Sequence, residues 1–351
     1  MIDFLSSSKS KIATKTLVNI NSQSTNRLIE PIVLIRRMAF GIAIATWMVM
    51  AIGSATRVMN AGLACPDWPL CYGTVLPTEQ MNLQVFLEWF HRIVASSVGF
   101  ATIVLFSLSW YFRKALPKWL PWAISGSLSL VIFQGILGGL TVTQLLRFDI
   151  VTAHLGTGLL FFSSLLAIAT SLSNYQSNYQ LDVGEVLNIS QQKNSQPKIS
   201  QPKTSKIAWL GLSATVLVYL QSILGALVAS QWALHQCLAT QDMCIVLNTH
   251  LIGVIPATLA SIAVVITAWL NKAIAPILRR IALITGLLLI AQVAIGYATY
   301  KLHLQVEPLT IAHQATGSAL LASLVCFTVL AFTATRQAQI PARNQAQPAI
   351  R

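Results

Sequence analysis

The segment His154-Leu155-Gly156-Thr157-Gly158 opens a run of apolar residues that continues to about residue 172. Three further histidines lie in other apolar runs, and their spacing repeats. His91 and His154 are 63 positions apart (154 − 91), as are His250 and His313 (313 − 250). Each histidine of the first pair precedes its counterpart by 159 positions (250 − 91 and 313 − 154). This repetition predicts a duplicated module that carries one histidine on every second helix.

The composition indicates a membrane protein. The chain has 351 residues, of which 55% are hydrophobic and 9% charged, whereas about a quarter of a soluble protein is charged. A helix needs roughly 20 apolar residues to cross a bilayer, and the run lengths exclude a transmembrane β-barrel. We therefore predict an all-α membrane protein with eight transmembrane helices. The predicted spans are about 38–56, 89–112, 120–143, 152–172, 207–229, 246–270, 277–300 and 309–334.

The net charge of +13 is explained by the membrane topology and is not a sign of a nucleic-acid partner. In an eight-helix arrangement, all but four of the 23 Lys and Arg residues fall on the side that carries both termini. The four exceptions are Arg57, Arg92, Arg147 and Lys301. The positive-inside rule then predicts a multi-pass protein in the lipid bilayer with both termini cytoplasmic. No basic patch interleaved with aromatic residues supports nucleic-acid binding.

A polar linker divides the spans into two tandem four-helix bundles. Its Gln, Asn, Ser and Lys residues are typical of a flexible connection. The polar first residues show no cleavable signal peptide and predict a cytoplasmic tail, with an organellar transit segment as the alternative. The predicted units are 1–37 (N-terminal tail), 38–172 (N-terminal half), 173–206 (cytoplasmic linker), 207–334 (C-terminal half) and 335–351 (cytoplasmic tail).

The odd-numbered helices share an ending centred on glycine. The four endings contain Gly53, Gly138, Gly225 and Gly296. Small residues here would let a neighbouring helix or a flat cofactor approach the backbone closely. Helix packing alone would explain any single glycine, but four matching positions favour a shared architectural purpose.

An ionisable side chain inside a membrane helix is a functional hypothesis by default. A lone histidine could merely bond to a neighbouring helix, but four in register indicate iron ligands. Two imidazoles at one depth, on two helices, can hold a flat macrocycle from opposite faces, and helical bundles build cofactor sites in this way. Zinc or copper would need more ligands close by. The pairs His91/His154 and His250/His313 therefore predict two haems, whereas His235 and His303 have no counterpart and are interpreted as surface residues.

Two cysteine pairs lie in the outer loops, where disulfides persist. Cys65 and Cys71 are six positions apart, and Cys237 and Cys244 are seven apart. Each pair could close a small disulfide, and for Cys65–Cys71 a copper site is the rival. The fifth cysteine, Cys326, is interpreted as an apolar filler inside the last helix.

Glu88 precedes His91 by three residues, which places both on one face of a helix. The corresponding positions before His250 and His313 are Leu247 and Thr310. Glu88 is therefore the candidate acid/base group beside a bound substrate, although an acid at a helix start also suits the dipole. Arg57 and Arg92 are candidates to contact a haem propionate. Snorkelling to the interface is the alternative for Arg92.

Taken together, these residues resemble the haem A synthase family, over roughly residues 38–334. The resemblance is carried by Thr56-Arg57, by the loop Gly62–Cys71 with its two cysteines, by Glu88 beside His91-Arg92, and by the other three histidines. It implies that His250 and His313 ligate a haem b cofactor, whereas His91 and His154 hold the haem being oxidised. It also implies that the acid at Glu88 assists catalysis and that the loop cysteines are redox-linked or help haem delivery.

The implied reaction oxidises a porphyrin methyl of haem O to a formyl group, through an alcohol, which makes haem A for terminal oxidases. Implied partners are haem O, the haem O synthase (a farnesyltransferase) and an unidentified electron-transfer partner, and a homo-oligomer is left open. The expected location is a bacterial plasma membrane, or else another energy-transducing membrane. The rival functions are a dihaem electron carrier and a haem transporter or chaperone without substrate chemistry.

Overall fold

The computed structural model of the chain describes residues 2–188, 205–229, 245–271, 274–302 and 306–339. In these ranges the secondary structure is helical, with a single isolated β-bridge in the first loop. The eight helices are α1 (Ile2–Val58), α2 (Leu83–Tyr111), α3 (Leu120–Thr143), α4 (Phe148–Asn188), α5 (Ser205–Val228), α6 (Ile245–Leu270), α7 (Pro276–Lys301) and α8 (Glu307–Gln339).

Each of the eight helices contains a span of 23 to 29 residues that is long and apolar enough to cross a membrane. Many large apolar side chains on these spans face outwards, including Phe40, Phe100, Trp122 and Ile290. Outward apolar side chains would be costly in water but suit contact with lipid, where the backbone must satisfy its own hydrogen bonds. The prediction of an all-α protein with eight membrane helices is confirmed.

The helices form two closed rings of four. In the first ring, which we call the N-ring, α1 packs against α2, α2 against α3, α3 against α4, and α4 back against α1. In the second, the C-ring, α5, α6, α7 and α8 close in the same order. The predicted division into two four-helix halves corresponds to these rings, although their origin by duplication stays a prediction.

The two rings join through α1, α4, α5 and α8, and α4 and α8 are the most buried spans. Side-chain hydrogen bonds cross this joint. Trp47 Nε1 donates to the Ala315 carbonyl at 3.0 Å, and Tyr219 donates its hydroxyl to the Gly156 carbonyl at 3.3 Å. The thiol of Cys326 accepts a hydrogen bond from Thr170. The joint therefore places α4 and α8, each with one candidate ligand, at the centre of the molecule.

Two helices extend beyond the predicted spans. α1 begins at Ile2 rather than near residue 38, and its apolar span is Glu30–Val58. α4 continues to Asn188, past its apolar span of Phe148–Ser173 and into the predicted linker. Hydropathy marks where a helix meets lipid, whereas backbone hydrogen bonding can continue into polar residues. The proposed unit boundaries remain predictions.

Candidate functional site

Each of the four histidines lies against a glycine of the helix that precedes it. The pairs are His91 on Gly53, His154 on Gly138, His250 on Gly225 and His313 on Gly296. A Cβ added to these glycines would lie 2.8, 3.3, 3.1 and 2.7 Å from the respective Cε1 atom of the imidazole. The glycines predicted to permit close approach therefore form notches for the imidazole rings.

The rings bring together the predicted pairs. His91 on α2 and His154 on α4 belong to the N-ring, and their imidazoles lie near enough to interact electrostatically. His250 on α6 and His313 on α8 are related in the same way in the C-ring. Among the described residues, no cluster of three or more His, Cys, Asp or Glu side chains is arranged to hold a metal ion. Two pairs of imidazoles are thus the candidate ligand sets.

A glutamine four residues before the glycine notch contacts the histidine in three of the four hairpins. Gln134 Nε2 donates to the His154 carbonyl at 2.8 Å and lies 3.5 Å from its ring. Gln221 Nε2 lies 2.8 Å from the His250 carbonyl and 2.9 Å from Nδ1 of its ring. Gln292 Nε2 lies 3.3 Å from Nε2 of the fourth histidine, His313.

These glutamines were not predicted as site residues. The signal is present in the sequence, since Gln134, Gln221 and Gln292 stand four positions before Gly138, Gly225 and Gly296. A separation of four positions places two side chains on one helix face. A polar residue in a membrane helix is nevertheless equally typical of ordinary helix packing, so the pattern gains its meaning only from the contacts.

The first hairpin lacks this contact. Val49, an apolar residue, stands four positions before Gly53. Nδ1 of His91 is buried and has no hydrogen-bond partner among the described residues. Packing against Gly53 is therefore the contact that places the His91 ring.

The residues present fit a haem in either ring. Nδ1 atoms of His91, His154 and His313 are buried without a hydrogen-bond partner in the described part of the chain, and buried polar atoms normally have one. Nε of Arg57, at the end of α1, is likewise buried and unpartnered. Unpaired imidazole nitrogens suit metal ligation, and a guanidinium suits a carboxylate such as a propionate.

Glu88 is buried at 3% exposure in the N-ring, where it joins α2 to the first outer loop. Its Oε1 accepts a hydrogen bond from Arg92 at 2.5 Å, and its Oε2 accepts one from the Cys65 N–H at 2.8 Å. A carboxylate with two charge-assisted donors is held firmly in one orientation. The predicted acid therefore lies one helical turn from His91 and is tied to the cysteine loop.

Arg92 serves as the anchor of that loop. Its guanidinium donates to the carbonyls of Asp67 at 2.6 Å and Leu70 at 2.5 Å, and also to the Cys65 carbonyl at 3.3 Å. The carboxylate of Glu88 is its fourth partner. Both terminal nitrogens of Arg92 therefore already bond to protein groups, and its contact with a propionate stays a prediction. Arg57 is the better candidate for that contact, because its buried Nε has no partner among the described residues.

The loop itself is closed by a disulfide between Cys65 and Cys71, with a Cα–Cα distance of 4.8 Å. The pair is buried against Val85 and Trp89 of α2. The predicted disulfide is confirmed, and the rival copper site is not what these cysteines form. The second predicted disulfide, Cys237–Cys244, lies outside the described residues, as do His235 and His303.

Asp67 organises the turn that follows. Its carboxylate accepts hydrogen bonds from the backbone N–H groups of Tyr72 at 2.6 Å and Gly73 at 2.7 Å. The N–H of Gly73, and then that of Tyr72, lower the pKa of Asp67 below its usual value. Gly73 has a φ of 70°, a conformation that glycine adopts without strain. The loop is therefore an ordered structure that covers the N-ring. Its Trp68 packs against Gly139 of α3.

Comparison with known proteins gives a consistent set of matches. Residues 36–325 match the COX15-CtaA family model, described as cytochrome oxidase assembly protein. A protein of Shewanella oneidensis named "Heme A synthase" is 35% identical over 139 residues, which is 35% of this chain and 41% of that protein. The protein of that name from Shouchella clausii is 30% identical over 147 residues, 42% of this chain and 48% of the relative.

These two alignments span less than half the length of the relatives. A third relative of the same name, from Rhizorhabdus wittichii, aligns over 340 residues at 23% identity. That alignment covers 81% of this chain and 90% of the relative. The similarity therefore extends through both rings, at lower identity.

Proposed function

The chain belongs to the COX15-CtaA family of cytochrome oxidase assembly proteins, and on that premise we propose that it is a haem A synthase, a membrane oxidoreductase that converts haem O to haem A. One observation carries the proposal beyond the relatives' names. Both rings hold a pair of imidazoles in glycine notches, but among the described residues only the N-ring adds a buried carboxylate, Glu88, beside a ligand. The C-ring pair therefore suits a bound haem cofactor, whereas the N-ring pair, with Glu88 beside it, suits a haem that is chemically changed.

We assign His250 and His313 to a resident haem b and His91 and His154 to the substrate haem. A cofactor site needs two ligands and close packing, whereas a substrate site also needs a group that moves protons. Haem b, when bound, would supply one-electron transfer between the substrate and an external partner. Arg57, whose Nε is buried at the end of α1 and has no partner in the described ranges, is our candidate to bind a propionate of the substrate.

Oxidation of a porphyrin methyl to a formyl group replaces two hydrogens by one oxygen; written with water as the oxygen donor, it releases four protons, and its four electrons go to the external electron-transfer partner. Glu88 is the group of this chain placed to accept the released protons. Its Oε1 is paired with the Arg92 guanidinium, which orients the carboxylate, and a carboxylate oxygen can accept a proton. The Cys65 N–H fixes the other carboxylate oxygen, so the position of this base depends on the disulfide loop.

The two rings repeat the same notch at four positions, and this supports an origin by internal duplication. The charge distribution supports a plasma membrane location with both termini cytoplasmic. A haem O synthase would supply the substrate, and an unidentified electron-transfer partner would act at the outer side. The protein is proposed to work in the bilayer, with its oligomeric state left open.

Pigment extraction tests the proposal. The protein would be expressed beside a source of haem O, purified in detergent, and its extracted haems separated by chromatography. We expect haem A or its alcohol precursor together with haem b. The His250→Ala variant should lose haem b and the product, whereas His91→Ala should keep haem b and lose the product. Haem b alone in the unaltered protein would contradict the proposal and favour an electron carrier, and unchanged haem O alone would favour a transporter.

A further inference from the structure

The loop that covers the N-ring presents apolar side chains at its tip, which we define as residues 72–76. Val75 is 69% exposed and Leu76 is 51% exposed, and Tyr72 is exposed as well. The tip contains no charged residue. Contiguous exposed apolar side chains mark contacts with a protein or a membrane, so the tip calls for an apolar partner.

The shape of the tip is fixed from within the loop. The Cys71 N–H donates to the Thr74 carbonyl at 3.0 Å, and the Thr74 N–H donates to the Cys71 carbonyl at 3.2 Å. These two bonds close the turn at Tyr72 and Gly73, and the disulfide to Cys65 ties the turn to the rest of the loop. The apolar side chains are therefore presented by an ordered turn.

The tip lies beside the second turn of α2. Nε1 of Trp89 donates to the Val75 carbonyl at 2.7 Å. Trp89 stands six positions after Leu83, the first residue of α2 (89 − 83), which is about 9 Å along the helix axis. The loop therefore returns alongside the membrane helix and brings its tip below the helix end.

This part of α2 is where the helix enters the hydrocarbon core. The span Leu83–Tyr111 has 29 residues, about 43 Å of helix, whereas the core is about 30 Å thick. The apolar run of the sequence begins at about residue 89, so the residues before it reach into the headgroup region.

An aromatic cluster on α2 continues the apolar surface of the tip. Phe86 lies 6.1 Å from Trp89 and is stacked on Phe90 at 5.5 Å, measured between ring centroids. Phe86 and Phe90 are exposed, and aromatic side chains of membrane helices concentrate at the membrane–water interface. Through Trp89, the tip and these two rings form one apolar surface at the start of α2.

We propose that the loop tip is an interfacial anchor, inserted among the lipid headgroups and upper acyl chains of the leaflet at the start of α2. A lipid surface is favoured over a protein partner because the tip continues the lipid-facing aromatic surface of α2 and takes no charge out of water. The same loop supplies the Cys65 N–H that bonds to Glu88. The anchor therefore holds the support of this carboxylate at a fixed height above the bilayer.

The stretch that leads from the tip to α2 provides an internal contrast. Glu79 and Gln80 are polar and exposed, and Asn82 caps α2 by accepting a hydrogen bond from the Val85 N–H at 2.9 Å. These residues lie at the helix end, where water solvates them. Position 80 should therefore be in water although it is five positions from Val75 (80 − 75).

Spin labels at these two positions test the proposal in the full chain. Val75→Cys and Gln80→Cys would each be combined with Cys326→Ser, labelled with a nitroxide and reconstituted in phosphatidylcholine vesicles. Power saturation measures collisions with oxygen, which partitions into lipid, and with a water-soluble nickel chelate present on both sides of the bilayer. We expect collisions with oxygen to exceed those with nickel severalfold at position 75 and the order to be reversed at position 80.

The Cys326→Ser protein without an added cysteine measures labelling at the other cysteines, and its signal is subtracted. Using one label at both positions cancels the affinity of the label itself for lipid. If Val75→Cys fails to accumulate, the label at Leu76 decides. Equal access of the nickel chelate at the tip and at position 80 would overturn the inference and assign the tip to a protein partner. This readout does not depend on haem, so it is independent of the proposed function.

Discussion

The N-ring and the C-ring present the same imidazole notch but differ in what surrounds it. In the C-ring, Gln221 contacts His250 and Gln292 contacts His313. In the N-ring, His91 has no such amide, and Glu88 and Arg92 connect its helix to a disulfide loop. The comparison teaches that one scaffold can serve two purposes when the notch is kept and only its neighbours change. We expect a charged group beside the ligands to suit a substrate, because proton transfer needs such a group.

The largest effect is expected from removing the charge that distinguishes the N-ring. Glu88→Gln keeps the shape of the side chain but cannot accept a proton, so we expect turnover of haem O to fall by about 10²-fold or more. Haem content should stay near normal, since neither ligand is altered. Chromatography of extracted haems measures both quantities. The exposed Glu307 of α8 provides the control Glu307→Gln, and equal activity of the two variants would remove Glu88 from the mechanism.

The notch shared by both rings is tested next. An alanine at Gly53 or Gly296 would place its Cβ 2.8 or 2.7 Å from the imidazole, and such overpacking costs about 1–3 kcal/mol. We expect each variant to lose haem mainly from its own ring, by severalfold in the haem-to-protein ratio. Gly41→Ala is the control because nothing lies within 4 Å of the added atom. If all three variants retained haem alike, the notches would have no part in ligand placement.

A smaller effect is expected when the N-ring is made to resemble the C-ring. Val49→Gln with Ala95→Gly supplies both the amide and the glycine against which it would pack. The His91 imidazole should then be held more firmly, and release of haem from the N-ring should slow severalfold. Stopped-flow transfer to apomyoglobin measures this rate. Gln at position 49 without the glycine should have less effect, and faster release in the double variant would contradict the comparison.

The disulfide of the N-ring loop gives a further, more local test. Cys65→Ser with Cys71→Ser should destabilise the loop by about 2 kcal/mol, because a short closed loop removes little entropy from the unfolded chain. Limited proteolysis within residues 59–82 should quicken, and Glu88 should lose part of its fixed orientation. Cys326→Ser, in the last helix, is the matched thiol control. Unchanged proteolysis in the double variant would show that Arg92 alone holds the loop.

The smallest effect concerns pH. The pKa of Asp67 is lowered by the N–H groups of Gly73 and Tyr72, so its contribution to loop stability is fully present above the ordinary pKa of about 4. This contribution is lost as the pH falls through the lowered value. Reduction of the disulfide by a phosphine should therefore accelerate below about pH 4 in the unaltered protein. Asp67→Asn should react faster at neutral pH and show little further change on acidification.

Much of this arrangement could be predicted from residue patterns. The apolar runs located all eight membrane spans, although the first two begin at Glu30 and Leu83, eight and six residues before the predicted starts (38 − 30 and 89 − 83). The spacing of the four histidines indicated two pairs. The small glycines at the ends of odd helices were correctly interpreted as points of close approach. The extension of α1 to Ile2 and of α4 to Asn188 was missed because hydropathy reports contact with lipid and not the continuity of a helix.

Partners that lie far apart in the chain were beyond such patterns. Contact of Arg92 with a propionate or the interface stays a prediction, whereas its hydrogen bonds to three loop carbonyls were not predicted. The contacts of Gln221 with His250, across two helices, also depend on how those helices pack. Hydrogen bonds of this kind form only where a donor and an acceptor are brought within about 3 Å.

The order of residues along the chain determined that this protein crosses the membrane eight times and carries two matched pairs of imidazoles, because length, hydropathy and spacing are properties of the chain itself. Only the tertiary structure decided which side chain stands beside each imidazole. Ring closure brings α1 against α4 and α5 against α8, and packing of this kind decides that His250 contacts a glutamine whereas His91 lies beside a helix with Val49 at the matching position. Those distances depend on packing, which no one-dimensional pattern contains.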